Sequence, residues 1–231
     1  MTNLGYKVHF IDADNKISNM MNIKSLVESG MVTFESLQAK LANTSLKQKI
    51  MTPQVALAKQ PKGYLEFCDI ISRFEKLLAD KGEPPADVLV IDSFTRILEH
   101  LERLISHLQK KDKFTFDEWG ILLSNLEEVF STLSSLQDLF KHVIIIAHEQ
   151  TEIDEDTHRI TAILPAIKGS MRNKVAAYFE EVYHTITVVK KDKVTFMVET
   201  HPINKCDART SRALDSTVEA DFKILFKEEV Q

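Results

Sequence analysis

Two runs of consecutive apolar residues, each preceded by an amphipathic helical pattern, restrict the fold of this chain more than any other feature. Residues 88–91 read Val-Leu-Val-Ile, and residues 143–147 read Val-Ile-Ile-Ile-Ala. Continuous apolar runs of this kind are typical of parallel strands that helices cover on both faces. Apolar residues recur at helical spacing over 64–80, 94–108 and 116–140. This alternation predicts an α/β fold with a mostly parallel sheet flanked by helices.

Other segments extend the pattern towards both ends of the chain. In chain order they are a strand over 7–11, a weakly helical stretch over 17–60, a loop of about 20 residues over 151–167, a short helix over 172–179, an antiparallel hairpin of 185–189 with 194–200, and a strand over 222–226. No internal repeat or low-complexity linker separates these segments. A single domain over 1–231 is therefore the simplest division.

Charge and cysteine content exclude several classes of protein. Asp and Glu number 34 against 29 Lys and Arg, and the resulting net charge of -5 is not that of a generally basic nucleic-acid-binding protein. Residues 159–212 nevertheless carry ten Lys/Arg and five Asp/Glu, so this region either faces phosphate or is a solvated basic surface. Two isolated cysteines, Cys68 and Cys206, indicate a reducing compartment and predict neither a disulfide framework nor a zinc site.

The hydropathy pattern contains no segment for membrane insertion. No apolar stretch approaches the roughly 18 residues of a membrane-spanning helix. The first residues also lack the pattern of a secretory signal peptide. A cytoplasmic protein with no membrane partner is therefore expected.

Polar residues follow three of the predicted strands. These are Asp12 and Asp14 after the first strand, Asp92 and Ser93 after residues 88–91, and His148 and Gln150 after residues 143–147. Ligands of parallel α/β sheets bind beyond the carboxyl ends of the strands. The three groups are therefore expected to converge at one edge of the sheet.

Each of these groups has a catalytic and a structural interpretation. Asp92, with Ser93, could hold Mg²⁺, a hard ion that prefers oxygen ligands. Asp12 or Asp14 could orient or deprotonate an attacking water, or the pair could form a turn or cap. His148 could sense a γ-phosphate, or it could be a capping or packing histidine. The residues alone leave these alternatives open, because many α/β proteins contain apolar strands that end in Asp.

Two groups of cations lie in the basic region. Lys168, Arg172 and Lys174 surround Gly169-Ser170 and could contact a nucleic-acid backbone, where Lys and Arg supply most of the affinity. Lys205 and Arg209 lie in a polar segment and could reach the phosphate of a neighbouring subunit, as an arginine finger does. A solvated loop is the alternative for both groups.

The order of several segments adds a family resemblance over about residues 6–212. The segments are VLVIDSFTRILEHL, DEWGILLSNLEEVF, HVIIIAHEQTE, ILPAIKGSMRNKVAAYFEEVYHTITV and FMVETHPINKCDAR. Together they resemble the RecA-like phage ATPases linked to single-strand annealing and recombination. The resemblance implies ATP and Mg²⁺ as cofactors, with Asp92 as the Mg²⁺-binding acid and Asp14 near the position of the catalytic acid. It also implies that His148 is the polar sensor, and that Gln150, Lys205 and Arg209 contact nucleotide.

The sequence departs from this family at the phosphate loop. None of its six glycines is followed by Lys, so G-x-x-x-x-G-K-[ST] does not occur in the 231 residues, and no two glycines are two positions apart, so G-x-G-x-x-G does not occur either. In the family, the phosphate-loop strand precedes the strand matched by KVHFIDAD. The chain is therefore expected to be N-terminally incomplete, without that strand. A second chain could supply the loop, the chain could be truncated or decayed, or the sheet could have closed around a noncatalytic role.

The resemblance implies a function that depends on which explanation holds. The expected protein is a RecA-like ATPase core that binds single-stranded DNA in phage recombination or replication. It would act as a hexamer or filament, or with a complementing phosphate-loop chain, and would not bind ATP well alone. The alternative is a noncatalytic RecA-fold protein that binds DNA or regulates a partner.

Overall fold

The computed structural model describes residues 1–37, 61–111, 113–190, 193–203 and 205–226. They fall into two compact units. The sheet unit is Lys7–Ala147, and the hairpin unit is Met1–Tyr6 together with His148–Gln231. The single domain over 1–231 stays a prediction.

Within the described residues, four parallel strands form the sheet of the sheet unit, in the order β2-β1-β3-β4. They are β1 (Val8–Asp12), β2 (Val32–Ser36), β3 (Val88–Asp92) and β4 (His142–Ile146). In β1 and β3 every residue from Val8↔Val88 to Asp12↔Asp92 is paired. The predicted α/β fold with a parallel sheet is thereby confirmed.

Four α-helices accompany this sheet in the described part of the chain. They are α1 (Lys24–Glu28), α2 (Gly63–Ala79), α3 (Phe94–Gln109) and α4 (Phe116–Ser135), and short 3-10 helices lie at Ile17–Asn19, Met21–Ile23 and Leu136–Asp138. Helix α4 begins with the predicted capping box of Thr115 and Glu118. Hydrogen bonds from Lys111 and Thr115 lower the pKa of Glu118 to about 2.

Aromatic side chains from the helices form much of the core of the sheet unit. Phe94 and Phe130 pack with ring centroids 4.9 Å apart, and both are almost completely buried. Phe74 and Phe140 meet edge to face at 5.2 Å. The first contact joins α3 to α4, and the second joins α2 to the segment before β4, because the apolar stripes predicted from sequence face one another.

The hairpin unit is built from antiparallel strands. They are β5 (Glu149–Ile153) with β6 (Ile160–Pro165), and β7 (His184–Lys190) with β8 (Lys193–Glu199) and β9 (Thr217–Glu219). The unit also contains α5 (Phe222–Leu225) and 3-10 helices at Thr2–Leu4, Gly169–Asn173 and Val175–Tyr178. The predicted C-terminal hairpin is confirmed as β7 and β8.

Several local predictions were wrong. Residues 151–167, expected to be a loop, belong largely to the β5–β6 hairpin, whose exposed and polar β5 offers no apolar pattern. Residues 222–226, expected to be a strand, are mainly helix α5, and Asp221 caps it by accepting from the Lys223 N–H at 2.9 Å. The weakly helical stretch 17–60 contains β2, and its residues 38–60 lie outside the described part of the chain.

None of the helices in the described ranges combines the length and the apolar character needed to cross a lipid bilayer.

Candidate functional site

The carboxyl ends of β1 and β3 place four predicted site residues together. They are Asp12, Asp14, Asp92 and Ser93, which we name the acidic edge. Asp12 and Asp92 are register partners in neighbouring strands. The Ala13 N–H donates to the Asp92 carbonyl at 2.7 Å, so the two strand ends remain joined beyond the last paired residue. The expected convergence therefore holds for these two strands.

The Asp12 side chain is held by hydrogen bonds to neighbouring groups of the acidic edge. Its side chain is buried, and its two carboxylate oxygens accept the N–H groups of Lys16 at 3.1 Å and Ile17 at 3.0 Å. The Ser36 hydroxyl donates to the same carboxylate at 3.3 Å. These bonds satisfy backbone donors at the start of a 3-10 helix, which favours the turn interpretation of Asp12 over a role as catalytic base.

Asp14 forms ion pairs at the acidic edge. Its Oδ1 lies 3.4 Å from the Nε of Arg96, and its Oδ2 lies 3.7 Å from the Nζ of Lys16. Arg96 also pairs with Glu99 on the next turn of α3. Sequence reasoning missed Arg96, although its position was a usable signal. Helix α3 starts directly after Asp92-Ser93, so a residue in its first turn, such as Arg96, lies close to the end of β3.

Ser93 and Asp92 differ sharply in their surroundings. Ser93 is fully buried, and its hydroxyl accepts the Arg96 N–H at 3.4 Å as the N-cap of α3. Asp92 is half-buried at the tip of β3. Mg²⁺ prefers carboxylate oxygens and retains several waters, so a half-buried carboxylate suits this ion better than a buried hydroxyl. The oxygen donors of Asp92 and Asp14 therefore fit Mg²⁺, with Asp92 as the stronger candidate.

His148 and Gln150 belong to the hairpin unit. His148 follows β4 in the sequence, its side chain is exposed, and its carbonyl accepts the Ala166 N–H at 2.7 Å. Gln150 lies within β5, opposite Leu164 of β6, and is also exposed. Their roles as sensor and nucleotide contact stay predictions.

The three cations predicted to bind DNA lie close together in the chain after β6. Lys168 and Lys174 flank the 3-10 helix Gly169–Asn173, and both are exposed. Arg172 is half-buried, and its guanidinium lies 2.8 Å from the Glu152 carboxylate of β5. Because Lys168 and Lys174 are more exposed than Arg172, the two lysines are better placed to meet a phosphate backbone.

Lys205 and Arg209, the predicted finger residues, contact backbone carbonyls of their own unit. The Lys205 Nζ donates to the Ile160 carbonyl. The Arg209 guanidinium donates to the Ala176 carbonyl at 2.6 Å and to the Phe179 carbonyl. Both side chains are nevertheless exposed at the surface. In the structure, both cations are therefore held against backbone carbonyls of the hairpin unit. Their action on a neighbouring subunit stays a prediction.

A parallel sheet with helices around it and acidic residues at two adjacent strand ends defines an α/β protein with a candidate site at the carboxyl edge of the sheet. A family model described as AAA domain matches residues 7–212. Because this match spans most of the chain, the chain belongs to the AAA domain family, which is an ATPase-type domain. A search of curated proteins found no match to the sequence.

One similar solved structure is the flagellar accessory protein FlaH from Methanocaldococcus jannaschii. The TM-score is 0.40 and the sequence identity is 11%. The alignment covers 86% of this chain and 66% of FlaH, so the chain spans slightly less than two thirds of the length of that protein.

Proposed function

We propose that this chain is the core of a Mg²⁺-dependent ATPase that acts on single-stranded DNA in recombination or replication. The observation that carries the proposal is the half-buried Asp92 at the tip of β3, in register with Asp12 of the neighbouring strand. The ion pair of Asp14 and Arg96 belongs to the same edge. Membership in the AAA domain family supports ATP as the nucleotide.

Each residue of the acidic edge has a distinct part in this proposal. Asp92 holds Mg²⁺, directly or through water, and the ion when bound neutralises phosphate charge. Asp14 orients the attacking water, with its carboxylate fixed by Arg96. Asp12 and Ser93 support the two chain turns from which the others project. His148 and Gln150 respond to the γ-phosphate and transmit its presence to the segment that follows β4.

The phosphate-gripping loop comes from outside these 231 residues in this proposal. The sequence contains no G-x-x-x-x-G-K-[ST] motif, whose backbone N–H groups and Lys would cradle the phosphates. A complementing chain supplies it within a hexamer or filament, where Lys205 and Arg209 reach the phosphates of the adjacent subunit. This chain alone is therefore expected to bind Mg-ATP only weakly.

The second candidate is a noncatalytic RecA-fold protein that binds DNA or a partner ATPase. Two observations favour it. The phosphate-loop motif is missing from the sequence, and the Asp12 carboxylate is occupied by the N–H groups of Lys16 and Ile17. Nucleotide binding separates the two candidates, and DNA binding tests a contact that both can make.

Calorimetry of Mg-ATP binding tests the nucleotide site. Asp92→Asn removes the charge proposed to hold Mg²⁺, and Asp80→Asn, at an exposed position after α2, is the matched control. We expect weak, Mg²⁺-dependent binding by the native chain, binding at least about tenfold weaker in Asp92→Asn, and no change in Asp80→Asn. Equal binding by Asp92→Asn would contradict the assignment. Tight binding by the native chain would contradict an external loop, and no binding at all would favour the noncatalytic candidate.

A gel-retardation assay with a single-stranded oligonucleotide tests the DNA contact. Lys168→Ala/Lys174→Ala should weaken binding and reduce the slope of log affinity against log salt by about 1.4, since each phosphate contact on a single strand contributes about 0.7. Lys76→Ala, at an exposed position of α2, should leave both quantities unchanged. If the double variant binds as the native chain does, these lysines are not the DNA contact.

A further inference from the structure

Three side chains with metal-ligating atoms meet in the hairpin unit, in a place that the proposed ATPase does not use. They are His184, Glu199 and Cys206, and their ligand atoms all lie within 4.8 Å of one another. His184 and Glu199 are opposite each other in the β7–β8 ladder. Cys206 comes from the segment that pairs with Ile163 of β6 through an isolated bridge. Three separate parts of the unit therefore converge on one point.

Burial distinguishes this cluster from ordinary surface charges. Glu199 is 1% exposed and Cys206 is 4% exposed. The His184 Nδ1 lies 2.6 Å from the Glu199 Oε2, and the ring itself is half-buried. A buried carboxylate and a buried sulfur beside one half-buried imidazole form a donor set of oxygen, sulfur and nitrogen.

We infer that His184, Glu199 and Cys206 form a binding site for Zn²⁺ or a similar thiophilic divalent ion, with a fourth position open to water or another ligand. Zinc accepts Cys, His and carboxylate ligands in four-coordinate sites, whereas a thiolate does not suit Mg²⁺. In a tetrahedral zinc site the ligand atoms lie roughly 3.3–3.7 Å apart. The pair now at 2.6 Å therefore has to open by about 1 Å as the ion enters.

Binding exchanges protons for the ion. Burial and the neighbouring Glu199 raise the pKa of Cys206 to about 11, so its thiol is protonated without metal. Burial disfavours the charged form of His184, but hydrogen bonds and the charges of Glu149 and Glu199 outweigh it and raise the pKa overall. Cys and His bind zinc in their deprotonated forms, so entry of the ion releases protons from the cluster.

Glu149 contacts the second ring nitrogen of His184. Its Oε2 lies 2.9 Å from the His184 Nε2, and the side chain is largely exposed at the start of β5. Metal-bound histidines usually donate their other N–H to a carboxylate, which fixes the ring orientation and strengthens the ligand. Glu149 is therefore a positioning residue, and not a ligand.

Two measurements on the reduced, chelator-treated full chain test the site. One sample is titrated with Zn²⁺, and a separate sample is loaded with Co²⁺ for absorption spectroscopy. We expect one Zn²⁺ per chain and a thiolate-to-cobalt charge-transfer band, neither of them displaced by a large excess of Mg²⁺. Cys206→Ser should abolish the band. Cys206→Ser and His184→Gln should each lower zinc affinity at least about 100-fold, and Glu149→Gln about 10- to 100-fold.

Cys68→Ser is the matched control, because Cys68 is the other cysteine of the chain and lies on α2 in the sheet unit. This variant should keep the cobalt band and the zinc affinity. Circular dichroism confirms folding of each variant, and the exposed Glu149→Gln carries the test if a buried substitution prevents folding. The inference is overturned if the folded native chain binds no stoichiometric zinc, if Cys68→Ser loses the band, or if both His184→Gln and Glu149→Gln retain native affinity.

Discussion

At the scale of single residues, burial separates side chains that look equivalent in the sequence. Asp12 and Asp92 each end an apolar strand and are register partners. Asp12 is buried and holds two backbone N–H groups, whereas Asp92 is only half-buried. The first environment suits a structural carboxylate and the second suits a metal ligand. Strand-end position predicts where such residues meet, and their surroundings decide what each can do.

His9 gives a pH dependence at the same scale. Burial lowers the pKa of His9 below its ordinary value, the Glu35 charge and hydrogen bond oppose this, and Arg73 adds to it. The ring lies 2.8 Å from the Thr33 hydroxyl and meets Phe74 edge-on. The unfolded chain therefore takes up a proton at higher pH than the folded chain does, so folded His9 contributes full stability only above about pH 6.5.

We expect the stability advantage of the native chain over His9→Gln to be largest at pH 7.5 and to shrink as the pH falls through the folded pKa of His9. Urea unfolding of both proteins between pH 7.5 and 5 measures this difference. A constant difference across that range would show that His9 has the same pKa in both states.

The proposed zinc site could not be predicted from single residues in the sequence. His184, Glu199 and Cys206 have no ligand spacing in the sequence, and two isolated cysteines predicted no zinc site. Pairing of β7 with β8 and the bridge from Cys206 to β6 bring the three side chains together. Long-range strand pairing of this kind leaves no short motif, whereas the acidic edge was predictable because parallel strands end on one side.

At the scale of elements, strong apolar patterns predicted where helices and strands lie, and a strand without such a pattern was missed. Helices α2, α3 and α4 and strands β3 and β4 follow strong apolar patterns and lie close to the predicted ranges. Strand β5 reads Glu-Gln-Thr-Glu-Ile and is mostly exposed, so the sequence gives no alternation of apolar and polar residues. Backbone pairing with β6, and not side-chain burial, establishes that strand.

The close approach of α2 to α3 depends on one glycine. A Cβ added to Gly63 would lie 2.7 Å from ring atoms of His100, which is buried. Gly63→Ala therefore forces the ring or the helix to move, and we expect it to lower the free energy of unfolding by about 1–3 kcal/mol. Chemical denaturation measures the loss.

Gly120 is the matched control for that substitution. It lies within α4 at an exposed position, and an added Cβ there would contact nothing within 4 Å. Gly120→Ala should stabilise the protein by about 0.4–1 kcal/mol, because alanine restricts the unfolded chain and favours the helix. A loss of stability in both variants would mean that the cost of Gly63→Ala does not come from His100.

At the scale of the whole molecule, the two compact units carry different proposed chemistry. The sheet unit contains the acidic edge, with oxygen donors suited to Mg²⁺, and the hairpin unit contains the sulfur-bearing cluster suited to Zn²⁺. A ligand stabilises the structure to which it binds, and the stabilisation rises with the logarithm of the ratio of free ligand to the dissociation constant. Zinc should therefore act selectively on one part of the chain.

Hydrogen exchange measured by mass spectrometry tests this selectivity. Saturating Zn²⁺ should slow exchange in β7 and β8 by at least about tenfold and leave the amides of β1 and β3 nearly unchanged. Cys206→Ser should abolish the difference. Equal protection of both units would instead indicate that the ion stabilises the chain as one cooperative structure.

Strand β4 has a consequence for handling the protein in solution. It pairs with β3 on one side, and the described residues pair no strand with its other side. Residues 143–147 are all apolar and carry no charge, and Ile146 is 40% exposed. An uncharged apolar edge is a template for strands of other molecules and a starting point for aggregation. Among the described residues, β4 is therefore an expected starting point for aggregation, and a charged residue in place of Ile146 is expected to reduce it.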